Sequence, residues 1–97
     1  MFSEHSNRLK ERNRMERHIT VKAEDGLHAR PAAVLAKIAV GLDEQVTIVT
    51  EEGKTASASS ILELMTSDIK CGDAVTLISG SDTALSAVEA ALSNPEL

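Results

Sequence analysis

Apolar and polar positions alternate along "HITVKAE", His18 to Glu24, with Ile19 and Val21 on one face, and this predicts a strand. Glu24-Asp25-Gly26 predicts a turn. The period then lengthens. In "ARPAAVLAKIAV" the residues Ala32, Leu35, Ala36 and Ala39 recur at helical spacing, and Gly41 supplies a C-terminal stop. Pro31 is tolerated only in a first turn, where its missing N–H loses no helical bond, so His28 falls at or near the N-cap. "QVTIVT" alternates again, with Val46 and Ile48 facing one way and Thr47 and Val49 the other. Glu51-Glu52-Gly53 turns the chain, and "KTASAS" returns as the second strand of a hairpin. "SSILELMTS" predicts a short helix with Ile61, Leu62 and Met65 grouped, some of them core. After a turn at Lys70 to Asp73, "AVTLIS" predicts a fourth strand. "TALSAVEAALS" predicts a last helix on a Leu85, Val88, Leu92 stripe, begun near Ser81 and ended by Pro95. The order β-α-β-β-α-β-α predicts an α+β fold: a four-stranded, mostly antiparallel sheet with three helices on one face and a Thr-rich face toward water.

Composition narrows this. The chain has 97 residues, of which 42% are hydrophobic but only one is aromatic, so one small core must be built from Ala, Val, Ile and Leu. The formal net charge of −5 argues against a general nucleic-acid binder. Arg8, Lys10, Arg12, Arg14 and Arg17 nevertheless crowd the start. Residues 1–16 are polar and read as a flexible N-terminal extension, with Met15 an alternative start. Residues 17–93 read as the domain and 94–97 as a tail. Cys71 is alone, which fits a reducing cytoplasm. No apolar run has the length of a membrane span, and no signal-peptide core is present.

Several chemistries lack their residues. "GKT" at Gly53 to Thr55 mimics the end of a P-loop, but Ile48 stands where that loop needs glycine. Three dispersed histidines and one cysteine have no zinc spacing. No G-x-S-x-G elbow is present. Aromatic platforms for single-stranded nucleic acid are absent.

"EDGLHARPAA" is more informative. A helix N-terminus presents unpaired N–H groups and partial positive charge, and so favours an anion. Imidazole is largely neutral at pH 7, and a helix N-terminus disfavours its cation. A histidine there can attack a phosphoryl donor and hold the group in a labile P–N bond. Arg30 can supply a guanidinium to the phosphoryl oxygens, and Pro31 stiffens the turn. Taken alone, His28 reads equally well as an ordinary cap.

The stretch "GLHARPAA" resembles the phosphohistidine motif of the HPr family, phosphocarriers of the bacterial phosphoenolpyruvate:sugar phosphotransferase system. "VTIVTEEGKTASASSILELM", "GDAVTLIS" and "ALSAVEAAL" resemble the rest of that family, so the likeness runs from about His18 to Leu92. It implies an open-faced β-sandwich. It implies that His28 accepts a phosphoryl group on Nδ1 from enzyme I and passes it to enzyme IIA, with Arg30 assisting. It implies a carrier without turnover of its own, with no cofactor on this chain, since phosphoenolpyruvate and Mg²⁺ act through enzyme I. Ser60 matches a serine modified by HPr kinase/phosphorylase in some bacteria, although Ser59 stands where many members carry a basic residue. Ser60 is equally well explained as an N-cap. Ile61, Leu62 and Met65 match an apolar partner patch and Lys37 a basic contact, with both helices expected to abut the His28 end of the sheet. A cytoplasmic monomer without direct membrane insertion follows. Alternatives are a nitrogen-related phosphotransferase branch, a regulatory module controlled by serine phosphorylation, and a small metabolite-binding or structural domain.

Overall fold

The computed structural model describes residues 14–97. The basic cluster at Arg8, Lys10 and Arg12 therefore lies outside the described residues. The elements are β1 (Met15–Thr20), α1 (Ala29–Val40), β2 (Thr47–Thr50), β3 (Thr55–Ser57), α2 (Ile61–Thr66), β4 (Ala74–Ser79) and α3 (Asp82–Leu92). They form one sheet in the order β1-β4-β2-β3, antiparallel throughout.

This order explains the one-sided architecture. β1 and β2 run parallel with β4 between them, so α1 is a crossover. β3 and β4 run parallel with β2 between them, so α2 is another. The second crossover starts from a strand of opposite direction and steps the opposite way across the sheet. Right-handed connections therefore place both helices on the same face. α3 follows β4 and packs beside α1 and against β1 and β4.

The alternating strands turn Val75, Leu77, Val46, Ile48 and Ala56 into the core, where they meet Leu35, Leu64, Leu85, Val88 and Leu92 of the helices. The other face carries Thr47, Val49, Thr76 and His18, whose ring lies 2.9 Å from the Thr76 hydroxyl. β1 begins at Met15, earlier than the alternation predicts, and ends at Thr20. Met15 and Ile19 pack against the core edge. Between them Arg17 occupies a core-facing position and is spared full burial by the edge. It donates to Glu89 at 2.8 Å and Ser86 at 3.0 Å, and pairs with Asp82. Those hydrogen bonds, to Glu89 first and then Asp82, hold the guanidinium above its ordinary pKa, so it stays charged. The C-terminal residues are packed as well: Glu24 N–H donates to the Pro95 carbonyl and Leu97 is buried.

Candidate phosphoryl site and the apolar band beside it

The segment between β1 and α1 is held from several sides. Val21 N–H donates to the Asp73 carbonyl and Lys22 N–H to that of Leu92, each at 2.8 Å. Gly26 N–H then donates to the Ala23 carbonyl at 3.0 Å and closes a turn. Gly26 has φ +68°, and a Cβ there would lie 2.8 Å from the Ile69 carbonyl oxygen. Only glycine fits both the left-handed backbone and the close approach. Leu27 is buried, and its N–H donates to the same Ile69 oxygen at 2.9 Å.

His28 is thus delivered between an anchored leucine and a helix. It is the N-cap of α1, with extended backbone, and its carbonyl accepts from Ala32 N–H at 2.9 Å. Its side chain makes no capping bond and is exposed, so the ring is uncommitted. A serine or aspartate at this position would spend its oxygen on the helix. Ala29 and Arg30 carry N–H groups with no partner one turn earlier, and Pro31 carries none. The first turn of α1 holds no acidic residue, so nothing within the helix offsets its positive end. An uncommitted ring nitrogen, unpaired N–H groups and an arginine two residues on together make a place where an imidazole can hold a phosphoryl group.

Arg30 is more constrained than its sequence position suggests. Its Nη2 donates to the Leu97 carbonyl oxygen at 3.4 Å and lies 3.9 Å from the Asp25 carboxylate. Neither partner was indicated by motif: Asp25 reads as a turn residue and Leu97 lies 67 residues away.

The second helix corrects one expectation, that some of its grouped apolar residues are core. Ile61, Leu62 and Met65 all face solvent, and Leu64 is the buried residue of α2. Six residues make less than two turns, and Leu64 alone points at the sheet. As expected, α2 does reach the His28 end of the sheet, and it does so by its C-terminal end. Ile61 and Ser59 border Lys37 and Val40 in the last turn of α1, around a hollow of about 350 Å³. Beyond the other end of α2, Ile69 meets Leu27. The helices are antiparallel, and α2 ends rather than begins near the histidine. Lys37, nine residues past His28, is therefore roughly 13 Å along the axis. Ser60, at the far end, caps α2 by accepting Glu63 N–H at 3.2 Å.

Val34, Ile38 and Val40 of α1 are exposed as well, Val40 beside Ile61 and the other two on the opposite flank of α1. Val40, Ile61, Leu62 and Met65 form an apolar patch where the two helices meet, the kind of surface that marks a protein contact. The sequence reading missed Val34, Ile38 and Val40. Val34 and Ile38 stand four apart, off the buried stripe, and that spacing was the available signal.

Among the described residues no three His, Cys, Asp or Glu side chains gather as metal ligands, and no helix is long and apolar enough to cross a membrane. Cys71 is exposed.

Comparison with known proteins gives a consistent result. The family model described as "PTS HPr component phosphorylation site" matches residues 15–94. The phosphocarrier protein HPr of Vibrio cholerae is 42% identical over 74 residues, which cover 76% of this chain and 86% of the relative. The phosphocarrier protein NPr of Shewanella violacea is 39% identical over 77 residues, 79% of this chain and 84% of that protein. The crystal structure of a phosphocarrier protein HPr from Bacillus anthracis superposes with a TM-score of 0.75 at 33% identity, covering 81% of this chain and 96% of that one.

Proposed function

Because this chain belongs to the HPr family of phosphocarriers, we propose that it relays a phosphoryl group on His28 within the bacterial phosphotransferase system. The observation that carries this assignment is the uncommitted ring of His28 at the unneutralised N-terminus of α1. In the forward step an imidazole nitrogen of His28, Nδ1 in the family's pattern, attacks the phosphorus held by phospho-enzyme I. The P–N bond of the donor breaks as the new one forms, and the donor imidazole leaves. The attacking ring gives up the proton on its other nitrogen and the departing donor ring takes one up, so protons balance across the step. In the second step an enzyme IIA nucleophile takes the group and His28 is restored. The chain contributes the nucleophile, the helix end and the Arg30 guanidinium, and nothing is turned over on it. The work is done in the cytoplasm by a monomer.

The apolar patch with Lys37 beside it supports successive docking of both partners. The patch is one small surface built on two helices, so one partner must leave before the next binds. The similarity to an NPr supports a second reading, in which the same histidine serves a nitrogen-related branch. Ser60 is a candidate for regulatory phosphorylation by an HPr kinase/phosphorylase. A phosphate there sits at the α2 N-terminus, where negative charge is tolerated, and beside the apolar patch, where it opposes docking.

The test is incubation with enzyme I, Mg²⁺ and phosphoenolpyruvate, alongside His28→Ala, read by intact mass before and after acid. One acid-labile phosphate on the unsubstituted protein and none on the variant is expected. No phosphate on folded protein, with enzyme I of each branch proven active on its own carrier, would refute the relay. The branch whose enzyme I loads the chain faster is its own.

A further inference from the structure

Arg30 enters the relay already engaged, and its ionic partner is an acid of the same loop. Asp25 belongs to the turn closed by Gly26 N–H on the Ala23 carbonyl, and Leu27 pins the next step of chain to Ile69. The Asp25 backbone is therefore fixed relative to His28 and to the first turn of α1. Its carboxylate lies 3.9 Å from Arg30 Nη2, the nitrogen that also reaches Leu97. Both side chains are mostly exposed, so the pair is weak and can be exchanged.

A phosphoryl group on His28 brings three acceptor oxygens and about two negative charges to the same helix end. A guanidinium fork grips one anion well in bidentate geometry. Asp25 and the phosphoryl group then compete for it, and they also repel each other.

We propose that Asp25 is a positioning residue that holds Arg30 in the unphosphorylated carrier and opposes its transfer to the phosphoryl group. The inference rests on the relay through His28. By withholding part of the arginine, Asp25 keeps the phosphohistidine less stable than the site could make it, and so readier to pass its group on. A carrier gains from this, because a group held too firmly is not delivered.

The experiment measures, at equilibrium with phospho-enzyme I, the ratio of phosphorylated to unphosphorylated carrier for the unsubstituted protein, Asp25→Asn and Asp25→Ser. The same ratio is measured for Arg30→Gln and for Arg30→Gln combined with Asp25→Asn. Both Asp25 variants are expected to raise the ratio about two- to fivefold, the range of an exposed ion pair. In the Arg30→Gln background the Asp25→Asn effect is expected to fall to half or less of that gain. An unchanged or lowered ratio in the single variants would overturn the proposal. An equal gain with and without Arg30 would also overturn it, since Asp25 would then act on the phosphoryl group directly. No phosphorylation of the unsubstituted protein would refute the relay itself, and this proposal with it.

Discussion

Replacing Gly26 by alanine tests how the histidine loop is held. Two costs can be separated. The backbone at φ +68° is left-handed, which costs a residue with a Cβ roughly 1–2 kcal/mol. The new Cβ would also lie 2.8 Å from the Ile69 oxygen and 3.2 Å from Lys70 Cα. Both are backbone atoms, so no flexible side chain can swing aside. The Ile69 oxygen already accepts the Leu27 N–H, and retreat stretches that bond, at a further cost of about 1 kcal/mol. The sum is about 2–3 kcal/mol, or a fall in Tm of roughly 10–20 °C for a domain of this size. Gly53→Ala is the control: φ is +89° there, but nothing lies within 4 Å of the added Cβ. It shares the first cost and escapes the second. Urea titration followed by circular dichroism gives both values. Gly26→Ala must be the more destabilising by about 1 kcal/mol, and equal losses would refute the claim that contact with Ile69 shapes the loop. Because Asp25 and His28 flank the strained turn, slower phosphorylation of the folded variant is expected as well.

Further expectations follow from the two helices and the edge strand. Leu64→Ala should cost about 2–5 kcal/mol in urea titration, whereas Leu62→Ala should change stability by under about 0.5 kcal/mol and raise the apparent KM for enzyme I. Ser60→Ala removes the α2 cap and should cost about 1 kcal/mol, measured the same way, with phosphorylation of His28 retained. Arg17→Ala removes three side-chain contacts between β1 and α3. Amide exchange along β1 should then accelerate more than exchange along β2, and uniform acceleration would show that the arginine acts on global stability instead.

The helix around His28 could be read in detail because three local signals agree there. Pro31 fixes a first turn, the Ala-Leu stripe fixes the face, and Gly41 fixes the end; α1 runs over the predicted residues. β4 was equally legible, since a central strand alternates strictly. β1 was not. At an edge, burial is partial, so Met15 and Arg17 enter the strand although neither marks a core position in a sequence pattern. α2 was legible as a helix but not in its buried face: with so few residues one side chain, Leu64, decides it, and the three grouped apolar residues, some expected in the core, all face solvent. The partners of Arg30 were out of reach for a third reason. Leu97 comes to it through tertiary packing, and no local spacing encodes that contact.

The strand order also bears on how the chain is made. β1 is synthesised first, yet its partners in β4 stand between 54 and 64 positions later. At ribosomal rates that separation is roughly 3–13 s of chain growth. Through that interval α1, β2, β3 and α2 are present while the strand leading into the histidine loop has no ladder to join. Its polar face, with Glu16, His18 and Thr20, and the charge at Arg17 keep this waiting segment from being a sticky apolar strand. The loop carrying His28 gains its anchors at Leu92 and Pro95 only when the last helix has emerged.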